Sequence, residues 1–188
     1  LRDGKLKVVK IKTKLKEFLI PILPTQIAPS YYIVGGLVFV PLTLMMIEQL
    51  IDQEEDDSLA GYAGSEKYVD GQQKVVLTDI LLTEITDGYK DRGQILMTVN
   101  DNIILNLAHL REVMLKELSK SKFIKLEFEN DDEIMVLKSV DVKKYSKSIA
   151  MDQLGISNVY LNVSDWSPLS KISDVQKMMN GKSKVVKK

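Results

Sequence analysis

Three features are absent or scarce in this sequence, and each shortage excludes a class of function. Cysteine is absent, which excludes disulfides, thiol nucleophiles and cysteine-ligated zinc or iron–sulfur sites. A single histidine, His109, excludes metal sites that need several imidazole ligands. An excess of one charge sign is also missing, because 26 Lys and Arg residues balance 26 Asp and Glu residues. Nucleic-acid binders usually carry a basic total, so nucleic acid is not expected as a partner.

The residues that are present are those of an ordinary folded chain. Its 188 residues are 45% hydrophobic and 28% charged, values typical of one globular domain, or one and a fraction. The first residue is Leu1 instead of Met, and the sequence shows no segment of the signal-peptide type. We therefore expect a soluble fragment of a longer protein, without a targeting signal.

Charge is distributed unevenly along the chain. Residues 1–17 carry seven basic and two acidic side chains, a formal charge of +5. Between Glu48 and Asp57 six acidic residues occur without a basic one, and several glycines follow, which predicts a solvated loop. The tail from Lys171 has six lysines against one aspartate and little apolar periodicity, which predicts a frayed end.

Residues 18–47 contain no charged side chain, and this uncharged run is long enough to span a membrane. A membrane-anchored or membrane-surface fragment that uses residues 18–47 is therefore the alternative hypothesis. Four prolines oppose a spanning helix, because lipid cannot replace the hydrogen bonds that they remove: Pro21, Pro24, Pro29 and Pro41. The pattern favours an extended linker to about Ser30, followed by a buried strand at 37–40.

The remaining pattern predicts a small α+β domain with a mostly antiparallel sheet. β-branched runs predict strands at 74–82 and 94–99, and alternation predicts a hairpin of 123–129 with 133–137. Apolar residues at helical spacing follow Asn106, which is placed as an N-cap. A second helix is predicted at 141–154, where Gly155 would stop it.

Motifs of common catalytic and ligand sites are not found. The pair Gly35-Gly36 is followed by a strand instead of a helix, so it does not form a phosphate-binding loop. No Gly-x-Ser-x-Gly elbow accompanies His109, which is expected to be a surface or groove-edge histidine. The acidic run lacks the spacing of a calcium loop. We therefore assign no catalytic residue, metal or cofactor to the chain.

The run from Pro29 to Thr43 reads Pro-Ser-Tyr-Tyr-Ile-Val-Gly-Gly-Leu-Val-Phe-Val-Pro-Leu-Thr. It resembles the start of the second PDZ domain in plant-type Deg/HtrA serine proteases, and three later segments are similar to that domain in the same order: 86–89, 106–110 and 123–129. The resemblance implies a PDZ-like, partly open antiparallel β-barrel or sandwich with one principal helix. It also implies four parts: a final hairpin remnant of a preceding PDZ domain at 1–17, a linker at 18–30, a PDZ-like domain at 31–145, and a partly disordered C-terminal extension at 146–188.

The resemblance implies a function as well. The chain is expected to be a non-catalytic regulatory and oligomerisation module of a serine endopeptidase of protein quality control, whose catalytic domain lies outside it. The expected partners are other protease subunits in a homo-oligomer, and peptide C-termini or unfolded protein. A membrane is not among the expected partners.

In PDZ domains a peptide adds as a strand beside a helix, and a loop of backbone N–H groups holds its terminal carboxylate. By position, the resemblance places that loop at Ile33, Val34, Gly35 and Gly36, and the receiving strand at Leu37, Val38 and Phe39. The opposite wall is predicted from one helical face, which carries Leu107, Arg111 and Met114. A role of Leu107 and Met114 in the core is an equally good interpretation of their spacing.

Overall fold

The structure is a computed structural model that describes residues 19–20, 29–54, 61–62, 64–65, 71–89, 92–129 and 134–161. Within these residues the chain forms eight strands and three helices. The strands are β1 Tyr31–Val34, β2 Leu37–Pro41, β3 Val75–Ile80, β4 Gln94–Val99, β5 Asn102–Ile103, β6 Phe123–Phe128, β7 Ile134–Lys138 and β8 Tyr160–Leu161. The helices are α1 Leu44–Glu54, α2 Leu107–Lys120 and α3 Ser139–Leu154.

All strands join one sheet, in the order β7-β6-β4-β3-β2-β1-β8, and β5 pairs with β4. Every pairing is antiparallel. The predicted α+β class and antiparallel sheet are therefore confirmed, and β4 occupies the residues predicted for it. The chain crosses from one end of the sheet to the other through α3, which follows β7 and leads into β8.

The sheet is covered on both faces, and β3 shows how the sequence achieves this. Alternate residues of a strand point to opposite faces. Val75 and Leu77 accordingly belong to the main core, together with Leu107 and Leu110 of α2. The intervening Val76 packs instead in a second cluster with Ile47 of α1. Burial on both faces explains why β3 begins with three consecutive apolar residues, Val75 to Leu77, which do not alternate with polar ones.

Two helices have the end residues that the sequence predicts: a capping side chain at the start of α2 and a glycine at the end of α3. The Asn106 side chain accepts a hydrogen bond from the backbone N–H of His109 at 2.7 Å, which makes it the N-cap of α2. Gly155 adopts the left-handed conformation at φ +67° and ends α3, and its N–H donates to carbonyls of the last turn. Both predicted caps are therefore confirmed.

One prediction on the local structure was wrong, and one strand was not predicted. The expected solvated loop after residue 47 begins instead as helix α1, because Leu44 and Ile47 lie one turn apart and pack under β2 to β4. Strand β1 follows the predicted linker at 18–30 and lies in a segment for which no strand was predicted. The predicted boundary between residues 145 and 146 falls inside α3. The predicted N-terminal hairpin, most of the linker and the basic tail lie outside the described residues.

The uncharged segment 18–47 folds as part of the domain where the structure describes it. Its residues 31–41 form β1 and β2, and Ile33, Leu37 and Phe39 are buried in the core clusters. No helix in the described part of the chain is long and apolar enough to cross a membrane.

Candidate functional site

The turn between β1 and β2 consists of Gly35 and Gly36, with φ of +60° and +92°. Positive φ at both central residues is the geometry of a two-residue hairpin turn, which glycine adopts without strain. A Cβ on Gly36 would lie 2.9 Å from Cγ2 of Thr83 and 3.1 Å from the Leu81 carbonyl oxygen. The two glycines are therefore needed for this tight hairpin, and Ile33 and Val34 belong to β1 instead of a loop.

Two backbone N–H groups of the predicted carboxylate loop already have partners within the chain. The Gly35 N–H donates to Oγ of Ser146 on α3 at 2.9 Å. The Ile33 N–H donates to the carbonyl oxygen of Val159 at 2.8 Å. Neither group is therefore open to a terminal carboxylate in this conformation.

Strand pairing corrects the expected position of the receiving strand. Leu37, Val38 and Phe39 lie in β2, which is hydrogen-bonded to β1 on one side and to β3 on the other. An added strand needs a free edge, and residues 37–39 of β2 have a neighbouring strand on both sides. The strand beside β2 that reaches the end of the sheet is β1, and its outer neighbour is the two-residue β8.

Strand β8 lies on the outer edge of β1 as an added antiparallel strand. Tyr31 is opposite Leu161, and Tyr32 is opposite Tyr160. The Tyr31 hydroxyl also donates to the carbonyl oxygen of Asn158 at 2.9 Å. Residues 158–161 therefore occupy the outer edge of β1.

Side chains from β1 and α2 hold this added strand. The Tyr160 ring stands edge-on to the Tyr32 ring, with 5.8 Å between the ring centroids. The Arg111 guanidinium carbon lies 4.8 Å from the centroid of the Tyr160 ring. Val159 packs against a separate apolar cluster that contains Ile33 and Ile149. The edge thus has two neighbouring subsites, one aliphatic and one aromatic.

In the aromatic subsite the Tyr32 hydroxyl is neutral and Arg111 carries a positive charge. Burial raises the pKa of the Tyr32 hydroxyl to about 12, although the nearby Arg111 cation lowers it and Tyr160 raises it further. Tyr32 is therefore neutral at physiological pH. The exposed guanidinium of Arg111 is the charged group that faces the Tyr160 ring.

Of the three residues predicted for the helical wall, Arg111 lies over the Tyr160 ring, while Leu107 and Met114 belong to the core cluster against which Tyr160 packs. Leu107 and Met114 are fully buried in the main core, which supports the core interpretation of their spacing. Sequence reasoning missed Tyr32 and Tyr160. The aromatic and β-branched run Tyr-Tyr-Ile-Val is typical of a strand and could have indicated β1.

His109 is buried, with 7% of its surface exposed, and not at a surface or groove edge as predicted. Its Nδ1 atom has no hydrogen-bond partner in the described part of the chain. Burial lowers the pKa of the imidazole, an effect that the Glu112 carboxylate partly opposes. Among the described residues, no cluster of three His, Asp or Glu side chains is close enough to hold a metal ion.

Comparison with known proteins identifies relatives of this fold. The family model described as PDZ domain matches residues 20–160. In Arabidopsis thaliana, "Protease Do-like 2, chloroplastic" is 32% identical over 139 residues, 70% of this chain and 22% of that protein. "Putative protease Do-like 12, mitochondrial" is 34% identical over 119 residues, 62% of this chain and 20% of that protein. "Putative protease Do-like 3, mitochondrial" is 30% identical over 154 residues, 76% of this chain and 26% of that protein.

These matches confirm the resemblance on which the sequence-based expectations depended. They also show that the chain spans between 20% and 26% of the length of the three curated relatives. A family match that covers most of the described domain, together with a sheet edge that holds an added strand, leads to one assignment. The chain belongs to the PDZ domain family, and its relatives include Do-like proteases.

Proposed function

We propose that the chain is a non-catalytic regulatory and assembly module of a Do-like serine endopeptidase, and that it binds extended peptide segments at the outer edge of β1. The observation that carries the proposal is the pairing of β8 with β1. Strand addition to a sheet edge is a common mode of peptide recognition, in which main-chain hydrogen bonds supply affinity and side-chain pockets supply specificity.

Displacement of the resident strand is the step that would regulate binding. β8 contains two residues, and Tyr160 and Leu161 are only partly buried. Segments with few ladder bonds and little buried surface open at low free-energy cost. Residues 158–161 are therefore expected to leave β1 far more easily than any central strand leaves the sheet, and a peptide or a strand from another subunit would then take their place.

A free carboxylate is not required by this proposal. The Gly35 N–H, which lies at the turn, donates to Ser146 and not to the added strand. An internal segment in extended conformation can therefore bind as well as a C-terminus. Unfolded protein offers such segments, which fits a role in protein quality control.

The test uses a fluorescent peptide that copies residues 156–163, titrated against the full chain and against Tyr160→Ala. Weakening the resident strand removes a competitor at high effective concentration, so the variant should bind the peptide at least tenfold more tightly than the parent chain. A control peptide with proline at the positions of Val159 and Leu161 should not bind, because proline cannot donate to the ladder. Equal affinity of both chains, or equal binding of the proline peptide, would contradict the proposal.

A further inference from the structure

Two of the contacts that hold the Tyr160 ring depend on its aromatic character. Tyr32 of β1 meets it edge-on, at a centroid distance of 5.8 Å. Arg111 of α2 lies over it, at 4.8 Å from the centroid. The two contacts come from the two elements that flank the added strand, so they form a subsite and not a chance surface contact.

Both contacts depend on the charge distribution of an aromatic ring. The negative face of the ring attracts a guanidinium, and the positive edge of one ring is attracted to the face of another. An aliphatic side chain of similar size keeps the burial but loses both effects. Together they amount to a preference of about five- to thirtyfold for an aromatic residue over leucine.

We infer that the β1 edge selects extended segments with an aromatic residue at the position that Tyr160 occupies, and that Arg111 determines this preference. The inference rests on the proposed function and names its ligand class: an extended segment with an aliphatic residue followed by an aromatic one, as in Val159 and Tyr160. Val159 supplies the aliphatic part through its contacts with the Ile33 cluster. Arg111 is exposed on α2, so it can be replaced without loss of a core contact.

The first test measures peptide affinity in the full chain that carries Tyr160→Ala. Three peptides that copy residues 156–163 carry tyrosine, phenylalanine or leucine at the Tyr160 position. The aromatic peptides should bind about five- to thirtyfold more tightly than the leucine peptide. In a chain that also carries Arg111→Gln, the preference for the aromatic peptides over the leucine peptide should fall to the part that the Tyr32 contact supplies. The control Lys116→Gln removes one positive charge from an exposed position of the same helix and should leave the preference unchanged.

Equal affinity for the tyrosine and leucine peptides would overturn the inference while leaving strand addition intact. A preference that survives Arg111→Gln unchanged would overturn the role of Arg111. Failure of every peptide to bind would instead count against the proposed function.

A second measurement needs no added peptide and separates these cases. Amide hydrogen exchange at Ile33 reports how often β8 leaves β1, because that N–H donates to Val159. In a double-mutant cycle, Arg111→Gln should raise exchange at Ile33 about two- to fivefold in the parent chain and have no effect in the Tyr160→Leu background. Equal effects in both backgrounds would show that Arg111 does not act through the ring, and would overturn the inference.

Discussion

The backbone N–H of Ile33 donates to the carbonyl oxygen of Val159 at 2.8 Å. These residues are 126 positions apart in the chain, and their hydrogen bond joins the first described strand to the last described segment. Helix α3 makes this possible, since it starts next to β7 at one end of the sheet and leads to the β1 edge at the other. The same helix supplies Ser146 to the Gly35 turn. The positions of β8 and of the Gly35 turn therefore depend on α3.

The hairpin turn before β2 should tolerate no side chain at Gly36. A residue with a side chain at this position would have to adopt an unfavourable φ of +92°. Its Cβ would also lie 2.9 Å from Cγ2 of Thr83 and 3.1 Å from the Leu81 carbonyl oxygen. Gly88 is a matched control, because its φ is +93° and no atom lies within 4 Å of its virtual Cβ. We expect Gly88→Ala to lower the free energy of unfolding by about 1 kcal/mol and Gly36→Ala to lower it by at least about 1 kcal/mol more. Denaturant titration measures both, and equal losses would show that the contacts around Gly36 carry no cost.

The buried carboxylate of Glu117 links α2 to the turn between β4 and β5. It accepts hydrogen bonds at 2.9 Å from the side chains of Asn100 and Ser121, and forms an ion pair with Lys120. Glu117→Ala should lower the free energy of unfolding by about 2–3 kcal/mol, because the half-buried Asn100 amide and Ser121 hydroxyl lose a charged acceptor. Glu112→Ala, at an exposed position of the same helix, should change it by less than about 0.5 kcal/mol. Similar losses for both variants in denaturant titration would contradict this role.

The buried His109 should make the domain less stable in mild acid. Burial lowers the pKa of its imidazole in the folded chain below the ordinary value of 6.5. The unfolded chain therefore binds a proton more readily below pH 6.5, and the free energy of unfolding falls as the pH decreases from 7.5 to 5. His109→Leu should flatten this dependence, and since His109 is the only histidine, no other imidazole contributes. An unchanged slope in the variant would assign the pH dependence to other groups.

A tyrosine covers the edge of β7 at the opposite end of the sheet. The Tyr89 hydroxyl accepts a hydrogen bond from the Val136 N–H at 3.1 Å and lies 3.3 Å from its carbonyl oxygen. Tyr89→Phe removes the hydroxyl and keeps the ring, so hydrogen exchange at the Val136 amide should rise at least fivefold. Exposed edges also pair with other chains, so weak self-association should appear in light scattering. Tyr145→Phe is the control, because the Tyr145 hydroxyl donates to the Glu84 side chain and not to an edge strand. Equal Val136 exchange and equal self-association in both variants would contradict this role of Tyr89.

Local signals in the sequence were enough for the elements that depend on local chemistry. The run at 94–99 predicts β4 residue for residue, and Asn106 and Gly155 mark helix ends through their own side chain or backbone. The pairing of β1 with β8 depends on contacts more than 120 residues apart, which no local pattern contains. The acidic residues after Ile47 hid the buried face of α1, since a charged outer face and a loop have the same composition.

Peptide binding at the predicted residues stays a prediction, and the structure shows which of these residues lie together. The segment around Gly35 and the helix with Arg111 do flank the added strand. The receiving edge was assigned to the wrong strand, because the sequence does not show which neighbours β2 has. Tyr160 lay in the segment interpreted as a C-terminal extension, and only the fold brings it to Arg111.

Strand addition at the β1 edge is tested by amide hydrogen exchange at Ile33 in the full chain that carries Tyr160→Ala, with and without the peptide that copies residues 156–163. We expect fast exchange in the variant alone, because β8 no longer holds the edge. Once the peptide is bound, we expect strong protection, because its carbonyl replaces that of Val159. Slow exchange in the variant without peptide, or fast exchange at a peptide concentration that saturates binding, would contradict strand addition at the β1 edge.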